Sequence, residues 1–259
     1  MKLINERYVS YYYYKNVEAI TMALEKFMRR NIYQSKEMAI LLTFVGGYID
    51  AYTFLSRGGT LAAGQTGNII FLASELSHRD LRGGMLKVAS VVSFMIGVMF
   101  VSLIHHQLAT RYWRLVSLIP ITLSCLVVGF LPMSIPNLYI LPPLAFGMAM
   151  LTTSFSKIEG EGYNNTFSTG NLKNGVIALS EYILNGDTAQ LRKAKLYIRI
   201  VLSFIIGAII SAEVQKYIGT YAILVAAMIL VLIFIFYSIL IYRRAVSYTH
   251  LTLPTICSV

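Results

Sequence analysis

Long apolar blocks alternate with short polar breaks along this chain. Six blocks are long enough, or nearly so, to cross a hydrocarbon core of about 30 Å. They run over roughly 38–56, 86–107, 115–133, 138–156, 195–215 and 219–242. Pro132, Pro136, Pro142 and Pro143 mark the break between the third and the fourth. Two further segments are shorter or more polar, Gly64 to Ser77 and Asn164 to Leu184. The first is short for a helical span at about 1.5 Å per residue. Trp113 and several Tyr and Arg residues stand near block ends, as interfacial anchors do.

The two short segments belong to an internal repeat. Thr66-Gly67-Asn68 recurs as Thr169-Gly170-Asn171. Ser93-Phe94-Met95-Ile96-Gly97 recurs as Ser203-Phe204-Ile205-Ile206-Gly207. Upstream of both, Phe44-Val45-Gly46-Gly47 corresponds to Phe146-Gly147-Met148-Ala149, and Leu151 is read as the counterpart of Asp50. The pattern predicts an all-α polytopic membrane protein with about six long transmembrane helices and two short Thr-Gly-Asn helices, arranged as a duplication. Residues 38–137 form the first membrane repeat and 138–244 the second. If the short helices do not cross, the halves are inverted and there are six crossings; if they do, the halves are parallel and there are eight. Cytoplasmic loops are enriched in Lys and Arg. Both arrangements satisfy that rule about equally, and both put the two termini in the cytoplasm.

Composition agrees with the pattern. Hydrophobic residues make up 56% and charged residues 13%, against about 25% charged in soluble domains. So low a charge density cannot cover a water-soluble globule of this size, so lipid is the expected solvent. The net charge of +10 sits mostly at block ends, which reads as topology and not as a nucleic-acid surface. The first apolar block starts too far in for a cleavable signal and is expected to act as its own insertion signal.

The flanks differ from the membrane region. Residues 1–37 form a basic, Tyr-rich cytoplasmic tail, in which Glu18 to Arg30 has helical amphipathic spacing. Residues 245–259 change character after Arg243 and Arg244 and read as a non-native tail. Cys125, in an apolar block, reads as a packing residue; Cys257 lies in the tail, and neither has metal-ligand spacing.

The matched breaks are where chemistry is expected. Glycine lets a backbone leave the helical path, and an interrupted helix exposes N–H and C=O groups that a substrate can satisfy. Thr66, Gly67, Asn68, Thr169, Gly170 and Asn171 are therefore candidate substrate- or ion-binding residues. Asp50 joins them, because an ionised Asp inside a membrane costs about 2.5–3.5 kcal/mol and needs a partner or water. Its ion-pair candidates are Lys173 and Arg199. Glu75, Glu181, Glu213, His105 and His106 read as interfacial. The sequence holds no P-loop, HExxH, GxSxG or dinucleotide fingerprint, and it calls for no cofactor, metal or catalytic residue.

The stretch GGYIDAYTFLSRGGTLAAGQTGNIIFLA, with Asp50, Thr66, Gly67 and Asn68, resembles the YoaK-like family of bacterial membrane proteins, a domain of unknown function. STGN at Ser168 to Asn171 and SFIIG at Ser203 to Gly207 fit the same family. The resemblance covers about residues 38–242. It implies about six transmembrane helices in a bacterial plasma membrane, and no substrate or reaction. The expectation is a small-molecule or ion transporter in the lipid bilayer, with its site between the two Thr-Gly-Asn segments. A membrane-embedded enzyme and a non-transporting scaffold or regulatory protein are the alternatives.

Overall fold

The structure, a computed structural model, describes residues 32–107 and 112–251, with backbone alone for 244–251. The amphipathic stretch Glu18 to Arg30 and Cys257 lie outside these residues. The described chain is almost wholly helical.

Helix α1 (Lys36–Ser56) starts at Ser35, whose Oγ accepts from the Met38 amide at 3.2 Å. It stops where Gly58 and Gly59 take φ values of 79° and 59°, a left-handed conformation that glycine adopts without strain. After it come α2 (Gln65–Ser77), α3 (Leu81–Gln107), α4 (Trp113–Phe130) and α5 (Asn137–Ser154). A small antiparallel hairpin, β1 (Lys157–Ile158) with β2 (Glu161–Gly162), precedes α6 (Ser168–Asn185). Then α7 (Thr188–Ile218), a 3-10 turn (Gly219–Ala222) and α8 (Ile223–Leu251) complete the described chain. The sequence pattern did not foresee the hairpin. Helix α8 also continues through the start of the expected tail, up to Leu251.

Among the described residues, four stretches are long and apolar enough to cross a membrane: Lys36–Ser56, Leu81–Gln107, Trp113–Phe130 and Thr188–Arg243. The sequence pattern led us to expect six. The difference has two causes. The last stretch contains both α7 and α8, and α5 is diluted by Asn137, two prolines and the closing Thr152, Thr153 and Ser154.

Packing follows the glycines. Helix α1 lies against α7, and α3 against α5. A Cβ on Gly47 would strike the Phe204 carbonyl oxygen, and one on Gly207 would strike that of Phe44. Likewise a Cβ on Gly97 would strike the Phe146 carbonyl oxygen. Backbones this close gain van der Waals contact that lipid cannot replace. The core is apolar, as in a soluble protein, but the surface is apolar too, and several polar side chains are buried. Met95, Met99, Ile70 and Leu232 are exposed, whereas Asp50, Arg57, Asn68, Lys87 and Asn171 are buried.

Contacts along the helices fix how the short elements run. Lys87 Nζ donates to the Gly58 carbonyl at 3.0 Å, and Ser90 Oγ to that of Leu61 at 3.2 Å. The first turns of α3 therefore lie beside the chain leaving α1. At the other end, Tyr33 ahead of α1, His105 of α3, Trp113 of α4 and Lys157 after α5 surround one recess. Helices α1 and α3 are thus antiparallel. Helix α2, about 20 Å long at 1.5 Å per residue, begins beside Asp50 and returns to the end where α1 stops. Helix α6 does the reverse, because α7 starts against the hairpin: Lys193 Nζ meets Glu161 Oε1 at 2.6 Å, and Tyr197 Oη donates to the Gly162 carbonyl at 2.8 Å. The 3-10 turn is tied back to α1, with Tyr48 Oη donating to the Ala222 carbonyl at 2.8 Å and Tyr52 Oη to that of Thr220 at 3.1 Å.

Candidate functional site

Asp50 sits one and a half turns before the end of α1 and is almost fully buried. The chain folds back after Gly58 so that Ala63 lies level with it. Asp50 Oδ1 accepts from the Ala63 amide at 2.7 Å, and the amides of Ala62 and Gly64 lie alongside. The carboxylate therefore serves the backbone break that precedes α2, since buried N–H groups must find acceptors. The expected partners do not reach it. Lys173 and Arg199 are both exposed, and among the described residues no cation lies within ion-pair distance of Asp50. Both sit on outward faces of α6 and α7, so their long side chains stay outside.

In the second half the matching place belongs to Thr152 and not to Leu151, which is buried in the core. Thr152 Oγ1 bonds Asn165 Oδ1 and lies 3.3 Å from Asn164 Oδ1. Asn164 Oδ1 in turn accepts from the amides of Thr166 at 2.8 Å and Phe167 at 3.0 Å. An acid holds one break and a hydroxyl with an asparagine holds the other.

The two motif asparagines do matching work. Asn68 Oδ1 accepts from the Leu61 amide at 2.9 Å and its Nδ2 donates to the Leu61 carbonyl at 2.7 Å. Asn171 Oδ1 accepts from the Asn164 amide at 3.1 Å and its Nδ2 donates to the Asn164 carbonyl at 2.6 Å. Each amide clasps the peptide seven residues before it, and each is buried. Asn68 also reaches Gln65 Oε1 at 2.9 Å and Ser90 Oγ at 3.2 Å.

Between these breaks lies a cavity of about 420 Å³. Helix α1 contributes Gly47, Asp50 and Phe54 to its wall; the start of α2 contributes Gly64, Thr66 and Gly67. The start of α6 contributes Thr166, Phe167, Ser168 and Thr169, and α7 contributes Phe204. The volume falls in the range of about 300–1,000 Å³ usual for small-molecule sites. Among the described residues, Asp50 is its one ionisable side chain. Ser168 Oγ is buried there with no hydrogen-bond partner. Of the expected residues, Asp50, Thr66, Gly67 and Thr169 meet at this cavity; Asn68, Gly170 and Asn171 do not line it. The asparagines are occupied in holding the breaks open, and a Cβ on Gly170 would meet open space.

Sequence reasoning missed the aromatic part of the wall. Phe54 stands one helical turn after Asp50, and Phe204 lies inside the repeated SFIIG, so both signals were present. Glu75, expected at a helix end, lies in the last turn of α2, where its Oε1 pairs with Lys87 Nζ at 3.1 Å; the Lys87 side chain is only 3% exposed. Arg57 is fully buried as well; its Nε donates to Tyr52 Oη at 3.3 Å. Among the described residues no three His, Cys, Asp or Glu side chains converge as a metal site would need.

No curated protein and no solved structure matches the chain. Residues 38–236 match the family described as a protein of unknown function, DUF1275, in keeping with the YoaK-like resemblance. The chain therefore belongs to the DUF1275 family.

Proposed function

We propose that this protein is a membrane permease that moves a small molecule or ion through the cavity beside Asp50. The observation that carries the reading is that one cavity is walled by both Thr-Gly-Asn segments. Matched interrupted helices meeting inside a bundle are the usual build of a transporter site. The proposal includes six crossings, counting α5, α7 and α8 singly, with α2 and α6 each returning to the side from which it entered. It also includes an inverted duplication in a bacterial plasma membrane with both termini cytoplasmic. Three matched pairs of contacts support the duplication: the two asparagine clasps, Gly97 on Phe146 with Gly207 on Phe44, and Lys87 on Gly58 with Tyr197 on Gly162.

The test is a thermal-shift screen of the purified protein against ions and metabolites, followed by proteoliposome uptake of the hits. Uptake should occur and should fall by about tenfold or more in Asp50→Asn, the scale of losing a charge-assisted hydrogen bond. Undiminished uptake in a well-folded Asp50→Asn protein would remove Asp50 from the site, and no uptake of any stabilising solute would favour a scaffold.

A further inference from the structure

The recess at the opposite end of α3 is chemically unlike the Asp50 cavity. Its volume is about 310 Å³. Arg114, at the start of α4, is held there by two rings: its guanidinium carbon lies 3.6 Å from the Tyr33 ring centre and 4.2 Å from that of Trp113. Its Nε donates to the Ser154 carbonyl at 3.1 Å. His105 meets Trp113 edge to face, with centroids 4.6 Å apart and ring planes at 62°, so the indole is fixed as well. Lys157, from β1, stands on the rim, and among the described residues no carboxylate lines the wall. Ser154 also lines the recess; it is 3% exposed, and its Oγ has no hydrogen-bond partner.

A buried hydroxyl without a partner is rare, because the unmet bond costs free energy. Here it shares a recess with a guanidinium, an ammonium and an imidazole. Planar guanidinium groups match carboxylate and phosphate alike; four donor side chains around one recess favour the anion with more acceptor oxygens, which is phosphate. We propose that this recess binds a phosphate group, with Arg114 and Lys157 supplying charge and Ser154 Oγ and His105 supplying hydrogen bonds. The phosphate belongs either to a lipid headgroup or to a free phosphate ester. The recess lies where α1 and α4 begin and α3 and α5 end, which is the cytoplasmic end in the six-crossing arrangement.

Full-length protein, stripped of lipid in detergent, is to be titrated with short-chain phosphatidylglycerol, glycerol 3-phosphate and inorganic phosphate, with thermal midpoint and native mass as readouts. Bound phosphatidylglycerol without a response to glycerol 3-phosphate assigns a lipid headgroup; a response to both assigns the phosphate ester itself. Lys157→Gln, on the surface, should weaken binding by about tenfold, the scale of one charge-assisted bond. Ser154→Ala should weaken it by about fivefold, the scale of one neutral bond. Arg114→Gln should abolish it, but that change also removes a packing group, so the two milder variants decide. Equal stabilisation by a neutral short-chain diglyceride, or unchanged affinity in both Lys157→Gln and Ser154→Ala, would overturn the proposal. None of these readouts depends on uptake through the Asp50 cavity.

Discussion

Asn68 shows how a motif residue is positioned for folding and not for contact with a ligand. Its side-chain amide satisfies both the backbone N–H and the backbone carbonyl of Leu61, where the chain is broken. Leaving a buried backbone group unpaired costs about 1–3 kcal/mol. Asn68→Ala should therefore lower the thermal midpoint of the purified protein more than Asn171→Ala, because Asn68 also holds Gln65 and Ser90. Equal midpoints for the two variants and the parent would show that the clasps contribute nothing. Sequence alone marked these residues through their repetition. It could not assign their role, since an amide bonding a peptide seven residues away requires the fold-back after Gly58 to be known first. Asp50 was legible for a different reason: a carboxylate in an apolar block demands a partner. The partner was misread because backbone amides leave no trace in a sequence, whereas Lys173 and Arg199 do.

At the scale of elements, the hydrophobic blocks marked nearly every helix, and the breaks marked α2 and α6. What the pattern could not rank was which glycines matter. Gly47 and Gly207 face the backbone of the opposite helix, and Gly170 faces open space. Adding a methyl group to Gly47 or Gly207 forces α1 and α7 apart, at a cost of about 1–3 kcal/mol for overpacking. Gly170→Ala should be neutral or stabilising by about 0.5 kcal/mol, because alanine suits a helix better than glycine. Unfolding of the three variants in a denaturant series would check the ordering. A Gly170→Ala protein as unstable as Gly47→Ala would contradict the packing described here. This expectation separates two glycines that look equally important in the sequence, one in GGYID and one in the repeated Thr-Gly-Asn.

For the whole molecule, the decisive question is whether α2 and α6 cross. Charge counts left it open because going from eight crossings to six moves Arg79, Arg82 and Lys87 outside and Arg111, Arg114 and Lys157 inside, and the two shifts offset each other. Contacts between distant residues support the proposal of six crossings, since Lys87 on Gly58 and Lys193 on Glu161 put the outer ends of α2 and α6 at opposite ends of the bundle. Single cysteines at His78 and Gly186 should then react with a membrane-impermeant maleimide from opposite sides of the membrane. Labelling of both from the cytoplasm would support eight crossings and end the inverted arrangement. The outward face of α3 agrees with a lipid environment: only 17% of its most apolar window is buried. That helix holds its place through Gly97, Lys87 and Ser90 on a narrow inner face.

The two tyrosine bonds between α1 and the 3-10 turn also bear on how the protein is made. Tyr48 and Tyr52 belong to the first described long helix, and their acceptors, Ala222 and Thr220, lie 174 and 168 residues further on. A ribosome feeding this chain into a membrane delivers α1 long before the groups that complete it. Until α7 has followed and the turn has emerged, the two phenols and the glycine face of α1 have no native partner. Partners so far apart along a chain delay completion of the fold. The helix at the centre of the molecule is thus among the first to be synthesised and the last to be finished, and a nascent chain stopped before Gly219 carries an open seam through its middle.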